Sequence, residues 1–505
     1  MIFFAFLLVA VVLIRDSVKR KHAKEWKEAR NFNPERTQAN AGFATDSDLK
    51  RAGYYKPGGI RIGLSPDGKR PLFYHGAGHL LLACAARSGK AFTVLVALIL
   101  SLPRKTSLLI IDPKGELTCI CAHFLARSRK VIVLNPYGLW QKELRGLKQG
   151  RYNPMMDLDP KSIDFHSACD KLVSSFWIEK PNDNDAFFSP TAKQVVSGVI
   201  AALRKYGKPE EQNLAVVRDV ITGSHGPSLI EFARKCMTLP DPYIRQKLAR
   251  LAQPRAEESK EVAGIIATAI TMTGFIGSEA ISETFKGSDF SFRQLKTTPG
   301  MCVCSILPLN RMDVVPQFNS LLTGCMLDGV LEESQRGRRV KVLVIIDEIS
   351  SLGFMKSLQD AWGMAAGAAG LQILAVYQDV SQIRNQFGNA WQTILQNSAI
   401  KIFFGSRDQE TRETVSRLAG LTEVFTRNRS VSADFQTGRP HVSDSTSSTT
   451  RPVIHPHEVG ELRDDEALIF AEGVNGVIKA KRRSYLKEFV GKYRPNPYFQ
   501  KKGWW

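Results

Sequence analysis

Apolar runs, some unbroken and some holding a single polar residue, recur along this chain, separated by segments of helical length. They fall at Leu80 to Ala83, Ser107 to Ile111, Val131 to Leu134, Met301 to Cys304, Val342 to Ile346, Leu371 to Val376 and Ile400 to Phe404. Runs without polar alternation belong to strands buried on both faces. With helix-length segments between them, such as Leu117 to Arg127, they predict a parallel sheet wound with helices. From about Lys161 to Phe290 the rhythm becomes helical, as in Ala192 to Tyr206, Leu229 to Met237 and Glu258 to Thr271, which predicts an all-helical insertion between sheet strands. Short runs in the Gly- and Pro-rich stretch Pro57 to Gly78 predict small strands at Ile60-Arg61-Ile62 and Pro71 to Tyr74. Phe425 to Arg451, rich in Ser, Thr and Arg, reads as a mobile surface loop.

The amino terminus has a different pattern. Met1 to Ile14 is apolar throughout, and Arg15, Lys19, Arg20, Lys21 and Lys24 follow. Such a run spans about 21 Å as a helix, against the roughly 20 residues a bilayer core asks for. The expectation is a membrane anchor, either thin or begun inside the span, with a buried packing helix as the alternative. The basic cluster places the remainder on the cytoplasmic side of the membrane.

Composition narrows the partners. A chain of 505 residues with 43% apolar content holds a large core and room for a second domain. The net charge of +20 favours an anionic partner, nucleic acid or the inner face of a membrane. Eight cysteines lie scattered, with Cys119/Cys121 and Cys302/Cys304 too close in sequence for a zinc site, and read as buried thiols of a reducing compartment. The nine histidines show no ligand spacing, so no structural metal is expected. In the tail, Lys479, Lys481, Arg482, Arg483 and Lys487 stand among Tyr485, Tyr493, Tyr498, Trp504 and Trp505. That mixture suits single-stranded nucleic acid, or equally a solvated charged face beside a packed aromatic edge.

Two stretches carry chemistry. After the run at Leu80 to Ala83 comes Cys84-Ala85-Ala86-Arg87-Ser88-Gly89-Lys90-Ala91-Phe92, then a helix-like segment from Val94 to Leu102. Strand, small-residue turn ending in Gly-Lys, and helix form the order of a phosphate-binding loop: backbone N–H groups wrap the phosphates and Lys90 reaches the outermost ones. The loop departs from GxxxxGK[ST] at Cys84, where the first glycine belongs, and at Ala91, where a hydroxyl normally holds Mg2+. A side chain at position 84 is expected to strain or reshape the turn. The second stretch, Val342 to Ile346, ends in Asp347-Glu348. Asp347 can hold a metal and Glu348 can polarise water against a γ-phosphate.

The ordered motifs resemble the coupling ATPases of conjugative type IV secretion, the TraG/TraD-like group. The resemblance rests on His79-Leu80-Leu81 running into Arg87-Ser88-Gly89-Lys90, IDPKGEL at Ile111 to Leu117, LNPYG at Leu134 to Gly138 and Tyr152-Asn153-Pro154-Met155. It continues through DAFF at Asp185 to Phe188, IIDE at Ile345 to Glu348, VYQDVSQI at Val376 to Ile383, GSRDQET at Gly405 to Thr411 and RPVIHPHEVGEL at Arg451 to Leu462. It implies a RecA-like P-loop α/β sheet with an inserted all-α domain, anchored by a short amino-terminal membrane segment and assembled as a homo-hexamer. It also implies ATP and Mg2+ as cofactors, and DNA, single- or double-stranded, a relaxase and secretion-channel components as partners. By position, Lys90 contacts β- and γ-phosphates, residues 84–92 wrap them, Asp347 serves the metal, Glu348 orients water and Gln378 senses the γ-phosphate. Arg407 is the finger reaching a neighbouring subunit, with Arg384 as its rival. Members with glycine after the lysine make Ala91 a small departure, in which magnesium leans on Asp347, water and the phosphates.

The organisation that follows is an anchor at 1–20, a membrane-proximal linker with small strands at 21–75, and a nucleotide-binding domain in two parts, 76–160 and 296–480. These parts flank an all-helical domain at 161–295 and precede a basic, aromatic tail at 481–505. A docking platform with a degenerate site is the alternative function. A chromosome-segregation or packaging motor would share the chemistry but not IDPKGEL or RPVIHPHEVGEL.

Overall fold

The computed structural model describes residues 41–178, 188–308, 310–311, 314–349, 358–359, 361–362, 369–433 and 440–499. The expected anchor and most of the DAFF stretch lie outside these residues. The strands are β1 (Ile60–Leu64), β2 (Pro71–Tyr74), β3 (His79–Ala83), β4 (Ser107–Ile111), β5 (Val131–Leu134), β6 (Lys148–Gln149), β7 (Cys302–Ser305) and β8 (Val342–Ile346). They continue with β9 (Leu371–Tyr377), β10 (Ser398–Phe403), β11 (Leu421–Ala433), β12 (Pro440–Pro452), β13 (Glu466–Ala471) and β14 (Ile478–Lys481).

Twelve of them form one sheet in the order β2-β1-β14-β13-β10-β3-β9-β8-β4-β7-β5-β6. From β10 to β6 every pairing is parallel, and from β10 outward through β13, β14, β1 and β2 every pairing is antiparallel. The burial pattern follows this division. Every residue of β3, β4, β5, β7, β8 and β9 is buried, as parallel strands covered on both faces must be. β2 and β14 alternate between buried and more open positions. The two small strands before the loop therefore extend the main sheet at its antiparallel edge.

Between β6 and β7 the chain is helical, with Phe165–Phe176, Ser189–Tyr206, Leu214–Thr222, Leu229–Cys236, Pro242–Leu248, Lys260–Met272 and Glu279–Phe285. Starts are set by side-chain caps: Asn213 accepts from the Val216 N–H, Ser228 forms a capping box with Glu231, Asp241 accepts from Tyr243 and Ile244, and Ser259 accepts from Val262. Pro242 sits at the first helical position, where its missing N–H costs nothing.

Phe425 to Arg451 is not a loop. Its described residues lie in a two-stranded antiparallel ribbon, β11 against β12, thirteen residues each, paired from Leu421↔Pro452 to Ala433↔Pro440. Low apolar content misleads here because a backbone ladder needs no core, and the Thr, Ser and Val of this stretch accept extended geometry. This ribbon belongs to a compact unit that among the described residues comprises 41–43 and 416–455, separate from the unit that carries the sheet. Among the described residues, no helix is long and apolar enough to cross a membrane.

Candidate nucleotide-binding site

The carboxyl ends of β3, β9, β8 and β4 lie side by side, and each delivers one element of the site. β3 is fixed at its start by His79, whose Nδ1 accepts from the Ile373 N–H (3.1 Å). That bond leaves Nε2 as the donor to the Ala361 carbonyl (3.1 Å). Gln372 Nε2 donates to the carbonyls of Gly76 and Gly78. These buried bonds hold the strand that aims the loop.

Cys84 continues β3: its N–H donates to the Tyr377 carbonyl (3.0 Å), and its side chain joins the apolar core. Burial pushes its thiol up to about 11. The expected strain at this position is not there. The left-handed positions of the loop are Arg87 (φ 62°) and Gly89 (φ 80°), so the turn is made three and five residues later. Ala85, Ala86 and Arg87 are exposed, and Ser88, Gly89 and Lys90 are half-buried. Past Lys90 the backbone makes a π-helical turn over Ala91–Leu95 before the α-helix Val96–Ser101. Thr93 donates both its N–H and its hydroxyl to the Gly89 carbonyl (2.9 Å each). Ala91 is buried and Phe92 partly so.

Lys90 Nζ lies 3.0 Å from Asp347 Oδ1 and donates to the Asp347 carbonyl at 2.8 Å. Burial opposes the charge on Lys90, but the Asp347 carboxylate, with a smaller contribution from Glu348, overcomes it and holds the ammonium above the ordinary lysine value. Glu348 Oε1 accepts from Gln378 Nε2 at 3.3 Å, and the Gln378 N–H is held by Gln382 Oε1 at 3.0 Å. Lys90, Asp347, Glu348 and Gln378 thus meet in one cluster. Arg407 stands exposed on the loop after β10, and Arg384 is engaged with Glu410 at 3.1 Å.

Asp112, at the end of β4, lies in the IDPKGEL stretch, where the sequence gives it no role of its own. Its Oδ2 accepts from the N–H and hydroxyl of Thr118 (2.7 and 2.8 Å), while its buried Oδ1 has no hydrogen-bond partner. Burial, reinforced by the charge of Asp347, pushes its carboxyl up to about 7. Gly115 follows in a left-handed turn (φ 69°), where a Cβ would come 2.8 Å from Trp140 Cδ1. Arg482, on sequence alone one more basic residue of the tail, is a second such group. It is buried, donates to the Ser88 carbonyl (3.0 Å), Thr93 Oγ1 (3.3 Å) and the carbonyls of Glu466 and Asp464, and lies 3.6 Å over the Phe404 ring. It clamps the loop to the antiparallel side of the sheet.

A parallel sheet presenting a glycine-lysine loop, an acidic pair and a glutamine on neighbouring strand ends has the architecture of the RecA-like P-loop class. Within that class the chain belongs to the family described as Type IV secretory system Conjugative DNA transfer, whose model matches residues 42–502. It is 24% identical over 441 residues to the conjugal transfer protein TraG of Agrobacterium fabrum, covering 81% of this chain and 61% of that protein. It is 22% identical over 497 residues to the type IV secretion system-coupling protein VirD4 of Bartonella henselae, covering 93% of this chain and 75% of that one. The chain spans about three fifths of the length of the TraG relatives it matches. The fold is similar to that of the plasmid coupling protein TrwB solved with ADP and Mg2+, with a TM-score of 0.61 at 18% identity over 88% of this chain and 94% of TrwB.

Proposed function

We propose that this chain is the motor of a coupling ATPase: anchored in the bacterial inner membrane with its bulk in the cytoplasm, it joins a relaxase-bound DNA to a type IV secretion channel and drives conjugative transfer by ATP hydrolysis. The observation that carries this reading is the 3.0 Å approach of Lys90 to Asp347, with Glu348 and Gln378 alongside, at the end of a phosphate-loop strand. TrwB has been solved with ADP and Mg2+ and with an ATP analogue, and the same ligands are proposed here.

The residues present suit a magnesium ion. Two buried carboxylates, Asp347 and Asp112, end adjacent strands, and one oxygen of Asp112 lacks any hydrogen bond. Among the described residues no group of three metal-ligating side chains forms a ready cage, so Asp347 would share the ion with water and phosphate oxygens, Ala91 having no hydroxyl to offer. When bound, the ion would neutralise phosphate charge. The chain's own residues do the rest. N–H groups of the loop wrap the phosphates, Lys90 exchanges its hold on Asp347 for phosphate oxygens, and Glu348 orients a water with Gln378 reporting the γ-phosphate. In a homo-hexamer, exposed Arg407 would reach the neighbour's nucleotide. The net charge of +20 supports a DNA strand as partner.

The test is DNA-stimulated phosphate release by the chain, compared with Lys90→Ala and Glu348→Gln. Release well above both variants is expected. Equal background in all three would establish the docking platform instead, the reading favoured by Ala91 in place of the metal-binding hydroxyl.

A further inference from the structure

The phosphate loop opens into a cavity of about 1190 Å3, and its far wall comes from the other end of the sequence. Gly89, Lys90 and Phe92 line one side, and Tyr485, Tyr493 and Tyr498 line the other. Tyr485 is buried and stands edge-on to Phe92 at 5.4 Å and to Tyr493 at 4.9 Å, so the wall is a packed aromatic surface. Farther out, Tyr498 is 51% exposed, its ring 5.1 Å from that of Trp140. A polar pair interrupts this apolar lining: Asn496 Nδ2 donates to Glu116 Oε1 at 2.5 Å, and Asn496 Oδ1 is held by the Tyr498 N–H at 2.9 Å. Glu116 is, with Asp112, one of the two acidic residues of the IDPKGEL stretch, and the expected function gave it no role.

We propose that this carboxy-terminal wall is the seat of an adenine base, an inference that rests on the nucleotide reading above and names what recognises the rest of the nucleotide. A polyphosphate held at Gly89 and Lys90 must carry its ribose and base into the space they open on, and that space is this cavity. Its lining has the chemistry of a flat heterocycle with one polar edge: rings for the faces, a carboxylate and an amide for the rim. The second oxygen of Glu116 accepts from the exocyclic amino group of adenine, and the Asn496 amide donates to the adjacent ring nitrogen. Guanine presents a carbonyl at that edge, against the carboxylate, and is disfavoured. The aromatic edge of the tail, Tyr485 to Tyr498, is then part of the ATP site, reached from nearly 400 residues downstream of Lys90.

The experiment measures the affinity of the chain for Mg-ATP, Mg-GTP and Mg-tripolyphosphate by calorimetry. The wild type is expected to bind ATP about tenfold or more tighter than tripolyphosphate, the margin a stacked base supplies, and tighter than GTP. Tyr498→Ala, at a half-exposed position, and Asn496→Ala should bring ATP down to the tripolyphosphate level while leaving tripolyphosphate binding unchanged. Glu116→Gln should erase the preference for ATP over GTP. Equal wild-type affinities for ATP and tripolyphosphate, or an ATP margin that survives both tail variants, would overturn the base seat and leave the phosphate site standing. Binding of neither ligand would overturn the nucleotide reading and the seat together.

Discussion

Lys90 and Asp347 neutralise each other before any phosphate arrives, so each residue's removal exposes the other. Asp347 is 2% exposed, and stripping a partner from a buried pair costs up to roughly 3–5 kcal/mol. Lys90→Ala is therefore expected to lower stability in urea unfolding, and Lys90→Ala/Asp347→Asn to restore most of the loss without restoring phosphate release. A double variant no more stable than the single one would show that the pair is not what Lys90 contributes to folding. Arg482 works through geometry rather than charge: its guanidinium reaches four acceptors and a ring, which a lysine cannot match. Arg482→Lys should cost about 1–3 kcal/mol and weaken ATP binding by loosening Ser88 and Thr93; unchanged ATP affinity would contradict the clamp. Glu466 gives a pH signature. Burial alone would raise its carboxyl, but hydrogen bonds from Arg463 and Lys481 and the charge of Lys479 bring it down to about 2. The folded value lies below the unfolded one, so this stabilisation is complete above about pH 4.5 and disappears as pH falls toward 2. Glu466→Gln should lower stability at pH 7 by about 1–2 kcal/mol, allowing for its exposed partners, and flatten that acid limb in thermal melts.

Among the elements, the β11–β12 ribbon can be tested by removal. The Val453 N–H donates to the Gly420 carbonyl at 3.0 Å, so the ends of the ribbon already meet. A chain joined by a short linker in place of 421–452 should keep its far-ultraviolet circular dichroism, apart from the strand lost, and its ATP affinity. Collapse to an insoluble product would show the ribbon to be integral to the sheet-bearing unit. The parallel strands other than short β6 were legible because buried strands write themselves as nearly uninterrupted apolar runs, whereas β13 and β14 on the antiparallel side were not read, and the candidate site was legible because its residues follow those runs: Lys90 after β3, Asp347 and Glu348 after β8, Gln378 after β9. The ribbon was not, because its ladder leaves no mark in apolar content. Arg482 and the aromatic wall were hidden for another reason. They reach the loop only through the fold, and on the chain they sit among lysines that look like a solvated face. The π-turn at Ala91–Leu95 also has no pattern of its own, since one extra residue in a turn leaves the apolar spacing nearly unchanged.

At the scale of the molecule, the basic excess of +20 makes a prediction independent of the nucleotide site. If it grips a strand's phosphates, DNA affinity should fall steeply, by about a thousandfold between roughly 50 and 200 mM salt. A shallow slope, with anionic vesicles displacing the DNA, would assign the charge to the membrane surface instead. The sheet order brings four strand ends together so that one ammonium and two carboxylates share a crevice, and everything proposed about the motor depends on a triphosphate entering there. A structure of the chain with Mg2+ and a non-hydrolysable ATP analogue tests this most directly. The account predicts Lys90 released from Asp347 and within hydrogen-bonding reach of the β- and γ-phosphates, about 3 Å. A nucleotide bound elsewhere, with the Lys90–Asp347 pair intact, would contradict it.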